Sequence, residues 1–213
     1  MTRTDVSLLL APRAPLPETD RQHLALAVAR VCQVELAAVV IEQRCERCGG
    51  PHGWPRVVRP PGAFVSLSRA DETVAVAVSL AGPIGVDIES VSAVGRAGFD
   101  DVAFNGPERE ALQAVPLIER DRVRAGLWTA KEAVLKLSGH GLTVDPRELT
   151  VAWRSQRSAS VLMMEPQQQL SWSGATLDLA QLHLSSFDAG PGLVGTVATL
   201  GPKAPRIVLL PQT

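Results

Sequence analysis

Residues 64–89 read FVSLSRADETVAVAVSLAGPIGVDIE, three short apolar runs broken by two polar or glycine-proline stretches. The runs Phe64–Ser68, Thr73–Leu80 and Ile84–Glu89 predict three consecutive strands, with Arg69–Glu72 and Ala81–Pro83 as the turns. The middle run alternates branched and small residues, as a strand buried on both faces does. In the third run, Ile84, Val86 and Ile88 share one face and turn to a core, so Asp87 and Glu89 share the other. Their Cβ atoms then lie about 6.5–7 Å apart, twice the strand rise. Carboxylates that close repel unless a proton or cation sits between them. Hard oxygen donors at this separation suit Mg²⁺. A strand end running into solvent, with both acids hydrated, is the competing reading.

Working outward from this stretch, the pattern turns helical over Asn105–Ser138, with Pro107 in the first turn, where a missing N–H costs nothing. Val123, Leu127, Ala130, Val134 and Leu137 form one apolar stripe, closed by Gly139 and Gly141. Trp128, Glu132 and Lys136 stack one turn apart on nearly the opposite face. A Glu–Lys pair at that spacing is common surface chemistry. Trp128 and Leu135 on its flank suggest instead that the face meets something other than water.

Upstream, Thr19–Leu36 predicts a helix, Ala38–Glu42 a short strand, and Cys45–Gly62 a loop dense in Gly, Pro and Cys. Downstream, Leu149–Trp153, Ser160–Met164, Gln181–Phe187 and Leu193–Thr199 predict strands, with Arg206–Leu210 as one more. Met163, Met164, Trp153 and Trp172 read as core of this half. The order of helix, strands, helix, strands gives an α+β expectation.

The chain has 213 residues, 46% hydrophobic and 20% charged, which is ordinary globular composition. A net charge of −1 and the lack of a dense Lys/Arg run argue against nucleic-acid binding. No run reaches the roughly 20 apolar residues that span a bilayer, and the LLLA run near the start is too short for a secretory signal. Three cysteines make no disulfide framework, so a cytoplasmic location is expected. Lys131, Lys136 and Lys203 are the lysines, and two of the three fall in one short segment.

GVDIE at 85–89 followed by WTAKEAVLK at 128–136 resembles the paired signature of the Sfp-type 4′-phosphopantetheinyl transferases. Phe64–Arg69 is similar to that family's strand ending in Ser-His, Cys48–Pro55 to its G-[KR]-P loop, and Asp20-Arg21 with Arg30 to its arginine-bearing helix. Phe104…Glu108 resembles the helix start carrying a third acid, and Gly192–Gly195 the closing strand. The resemblance implies two similar α/β halves in a pseudo-twofold arrangement, residues 1–98 and 99–213, each a small antiparallel sheet on a long helix, usually in a monomer. It implies transfer of 4′-phosphopantetheine from coenzyme A to a serine of an apo acyl or peptidyl carrier protein, releasing 3′,5′-ADP. Asp87, Glu89 and Glu132 would hold Mg²⁺, with Mn²⁺ as a substitute. Lys131 and Lys136 would stabilise phosphate charge, and Glu132 or Glu108 would take the serine proton. Arg21, Trp54, Ser68 and Arg69 would meet coenzyme A.

Two departures stand out. Trp54 replaces the usual Lys or Arg of the loop, and Arg69 replaces the His after the strand serine, bringing a fork of donors to a phosphate. With the short stretch before Arg21, the Trp54 change motivates a second reading: a degenerate, non-catalytic relative that binds carrier protein or coenzyme A. A third class is a zinc-dependent interaction protein built on Cys45, Cys48 and His52, but that is only part of a four-ligand site. His23, His140 and His183 lack the company of a triad. Which fatty-acid, polyketide or peptide carrier is served is not legible at single-residue level.

Overall fold

Strand β1 (Val6–Pro12) leads into helix α1 (Pro17–Cys32), the pair β2 (Val40–Gln43) and β3 (Pro55–Arg59), and three strands β4 (Phe64–Ala70), β5 (Thr73–Ser79) and β6 (Ile84–Ser90). Short helices α2 (Val91–Val94), α3 (Phe99–Ala103) and α4 (Gly106–Gln113) precede the long α5 (Leu117–Leu137). Strands β7 (Leu149–Ser158), β8 (Val161–Trp172), β9 (Leu182–Phe187), β10 (Leu193–Leu200) and β11 (Ile207–Leu209) complete the chain. The structure, a computed structural model, describes residues 5–14, 17–44, 49–50, 53–95, 98–158 and 161–212. Cys45, Cys48 and His52 lie outside these, as do the side chains of Trp153, Met163 and Met164.

The architecture is α+β, as the element order implied. One sheet has the order β11-β1-β5-β4, a second β6-β10-β9, and β2-β3 and β7-β8 are two-stranded. Strand β5 lies between β1 and β4, and its Val74–Val78 run has no exposure, which is what its unbroken branched-and-small pattern demands. Helix α1 covers this sheet with Leu24, Ala27 and Val28 and ends four residues earlier than expected, where Gln33 takes φ 56°. Strand β6 pairs antiparallel with β10, and β11 runs parallel to β1, so each larger sheet joins strands from early and late in the chain.

Two strands were not read from the sequence. In the sequence β1 shows only as an apolar run too short for a signal, yet it is an interior strand of the larger sheet. Strand β3 lies inside the predicted loop, because Pro55 opens it and Pro60 follows it. Proline is tolerated at the start of an edge strand, and among the described residues β3 has only β2 as a main-chain partner.

The sheets meet through side chains. Val86 N donates to Ser66 Oγ at 3.0 Å, and Ser68 Oγ donates to Asp87 Oδ1 at 2.7 Å, bridging β4 and β6. On the far side of β6 lies α5, whose predicted stripe is buried at all five positions in the C-terminal core with Leu149, Val151 and Trp172. No helix among the described residues is long and apolar enough to cross a membrane.

Candidate functional site

Gly85 sets the distance between β6 and α5. A Cβ there would stand 1.8 Å from the Ala133 carbonyl oxygen and 2.8 Å from Leu137 N, so only glycine lets the helix backbone come this close. Strand alternation puts Asp87 and Glu89 on the same face as Gly85. Both carboxylates are therefore turned onto α5 rather than into open solvent, and the hydrated strand-end reading fails.

Lys136, one turn beyond Glu132, donates from Nζ to Asp87 Oδ1 at 2.6 Å and to the Val86 carbonyl at 3.3 Å. Asp87 is buried, and its Oδ1 accepts from Ser68 as well. Its Oδ2 is buried with no hydrogen-bond partner. Burial pushes the Asp87 carboxyl up, against the pull of Lys136 and Ser68. Glu89 accepts from Trp128 Nε1 at 3.1 Å. Its carboxyl is pushed up to about 7, first by desolvation and then by Asp87. Glu132 is likewise pushed up to about 7 by desolvation, with Lys136 lowering and Asp87 raising it. The three carboxyls thus feel one another around a single ammonium.

These acids fit a hard divalent cation in donor type, and Asp87 Oδ2 is a ligand atom left without a partner in a dry site. Among the described residues, however, no group of three His, Cys, Asp or Glu is drawn together closely enough to hold a metal ion.

Lys131 and Glu108 are not gathered with this group. Lys131 has no exposure and Glu108 2%, and they pair with each other at 2.5 Å. Lys131 also donates to the Ala103 carbonyl at 2.9 Å and lies 5.4 Å from the Phe104 ring centroid. Burial pulls the Lys131 ammonium down, with Glu108 pulling it back. Glu108 closes a capping box with Asn105 at the start of α4 and accepts from Val151 N at 2.9 Å through its other oxygen. The pair knits α4, α5 and β7 together.

The residues expected at coenzyme A are held by different partners. Ser68 is spent on Asp87. Arg69 donates through Nε to Asp20 Oδ2 at 2.6 Å, and Arg21 through Nε to Gln43 Oε1 at 3.0 Å. Trp54 is 47% exposed, and its ring lies against Gly139, just past the end of α5. From the sequence, Trp128 shares a row with Glu132 and Lys136 and flanks that face as a bulky residue, with no partner assigned to it. The structure makes it the hydrogen-bond partner of Glu89, braced edge-on against Phe99 at 5.3 Å. An indole N–H in one helical row with Glu132 was the available signal. His140 bonds Ser138 and packs edge-on against Trp172, and His183 lies 2.8 Å from the Gly201 carbonyl, so neither joins the site.

Residues 83–188 match the family model of the 4′-phosphopantetheinyl transferase superfamily. The chain is also similar to the 4′-phosphopantetheinyl transferase psf-1 of Bacillus pumilus, with 31% identity over 109 residues. That alignment covers 51% of this chain and 46% of the relative. The likeness read from the two motifs is therefore borne out over the segment holding β6 and α5, whereas Arg21, Trp54, Ser68 and Arg69 precede the family match.

Proposed function

We propose that this chain is a phosphopantetheinyl transferase, moving the 4′-phosphopantetheine group of coenzyme A onto a serine hydroxyl of an apo acyl or peptidyl carrier protein and releasing 3′,5′-ADP. The observation that carries the reading is the convergence of Asp87 and Glu89 from β6 with Glu132 and Lys136 from α5 across the Gly85–Ala133 contact. Phosphoryl transfer asks a protein chiefly for positioning and for neutralising charge, and this cluster offers both.

Asp87, Glu89 and Glu132 would hold Mg²⁺, or Mn²⁺ in its place, and the ion would supply charge neutralisation at the pyrophosphate. Lys136 stands against Asp87 and would meet phosphate oxygens as charge develops there. Glu132, in the cluster with Asp87 and Lys136, is preferred over Glu108 as the group that takes the serine proton. Glu108 spends its oxygens on Lys131, Asn105 and Val151. Trp128 orients Glu89. The two-halved division at about residue 98 and a monomeric state belong to the same reading.

The test is incubation with Mg²⁺, coenzyme A and one apo carrier of each type, followed by mass spectrometry of the carrier. A gain of one phosphopantetheine group is expected from wild type, and a loss of about 10²-fold in rate or more from Glu132→Gln. An equally active Glu132→Gln would remove the assigned mechanism. Coenzyme A binding with no transfer to any carrier would favour the non-catalytic reading.

A further inference from the structure

Arg69 and Asp20 meet across the interface of β4 and α1, away from the carboxylate cluster. Asp20, in the first turn of α1, is wholly enclosed, with 1% exposure, and both its oxygens are engaged. Oδ1 accepts from Ala14 N at 2.9 Å, and Oδ2 from Arg69 Nε at 2.6 Å. The Arg69 side chain is 31% exposed. Its two terminal amino groups have no hydrogen-bond partner among the described residues, since Nε alone is used.

A buried carboxylate whose only role was neutralisation would be expected to take the guanidinium fork end-on, two N–H groups to two oxygens. Here it grips the inner nitrogen and leaves the fork uncovered. The next residue of α1 is Arg21, which donates through Nε to Gln43 Oε1. Strand alternation puts Arg69 on the face of β4 opposite Ser68, and Ser68 reaches Asp87. Any anion met by Arg69 is therefore not the phosphate beside Lys136.

We propose that Asp20 is a positioning residue: it fixes Arg69 by Nε so that the terminal amino groups remain directed at an anionic ligand. This rests on the transferase reading, in which that anion is a phosphate of coenzyme A remote from the one being transferred. Arginine stays charged at any working pH, so Asp20 contributes direction and not protonation. The cost of freezing the long side chain is met before the ligand arrives.

The experiment is calorimetric titration of coenzyme A and of 3′-dephospho-coenzyme A into the wild-type chain, Asp20→Asn, Asp20→Ala, Arg69→Ala and the double alanine variant. Asp20→Asn retains an acceptor for Ala14 N, so the fold has its support even if Asp20→Ala does not fold. Asp20→Asn and Asp20→Ala are expected to weaken coenzyme A about tenfold and 3′-dephospho-coenzyme A much less. The double variant is expected to be no weaker than Arg69→Ala alone, because the two act as one unit. Unchanged affinity in the Asp20 variants, equal losses for both ligands, or additive effects in the double variant would each overturn the proposal. Wild-type protein that binds no coenzyme A would overturn the transferase reading together with it. Binding without transfer in the mass assay would sink the transfer step alone, and the titrations would still decide Asp20.

Discussion

At the scale of single residues, burial decides where two acids of the cluster titrate. Glu89 and Glu132 are each pushed up to about 7, from 4.5, chiefly by loss of water and by Asp87. Between those values the folded chain keeps protons that the unfolded chain releases, so folding is favoured on the acid side and that stability is lost as pH rises through 7. Without divalent cation, the melting temperature is expected to fall between pH 6 and pH 8. The drop amounts to about 1–2 kcal/mol once solvent screening of the partly exposed Glu89 is discounted. Millimolar Mg²⁺ at pH 8 should restore it, because a ligand that binds only the folded state stabilises by mass action. Differential scanning calorimetry at both pH values, with and without Mg²⁺, checks this; a flat profile would mean that the three carboxyls do not share one field. Lys131 makes the opposite point. It sits beside Glu132 in the chain and completes the same motif, yet a 100° turn of the helix puts it in the core. Replacing Lys131 by Met leaves the Glu108 charge buried without its cation and is expected to cost about 3–5 kcal/mol. Adding Glu108→Gln should recover part of that. Denaturant titration of both variants reads the difference, and a neutral Lys131→Met would return the lysine to the list of phosphate ligands.

Among the elements, the contact that matters is β6 against α5. Its closeness depends on one missing side chain: Gly85→Ala forces a methyl into the Ala133 carbonyl. The expected cost is about 2–4 kcal/mol, with transfer activity falling further than stability because Asp87 moves relative to Glu132 and Lys136. Chemical denaturation alongside the mass assay separates the two, and activity preserved at full stability would show that the helix gives way freely. Much of this was legible in the sequence. The period of two in 84–89 gave the face shared by Asp87 and Glu89, and the period of 3.6 in 123–137 gave both the stripe and the Trp128–Glu132–Lys136 row. Periodicity assigns residues to faces, but it does not say what covers a face. The row opposite the stripe looked like surface, because nothing local announces that a strand lies over it.

For the whole molecule, the ends of the chain hold the larger sheet together. Strand β11 pairs with β1, Arg206 reaches Asp5 at 3.0 Å, Arg30 Nη1 donates to the Pro211 carbonyl at 2.6 Å, and Gln212 donates to the Leu10 carbonyl. Removing residues 205–213 bares one edge of β1 and is expected to cost about 2–4 kcal/mol and to promote association through the open edge. Light scattering and a denaturation midpoint test this; an equally stable, monodisperse truncation would make the tail dispensable. By itself the sequence determined the strand and helix that bear the acids, the pairing of their two motifs, and the chemistry those residue types suit, because alternation and helical pitch are local properties written into consecutive residues. Only the tertiary structure decided that Lys136 rather than Lys131 meets Asp87, that Trp128 orients Glu89, that Asp20 holds Arg69, and that β1 is an interior strand. Each of these depends on which surface lies opposite, and that is fixed by packing between segments far apart in the chain.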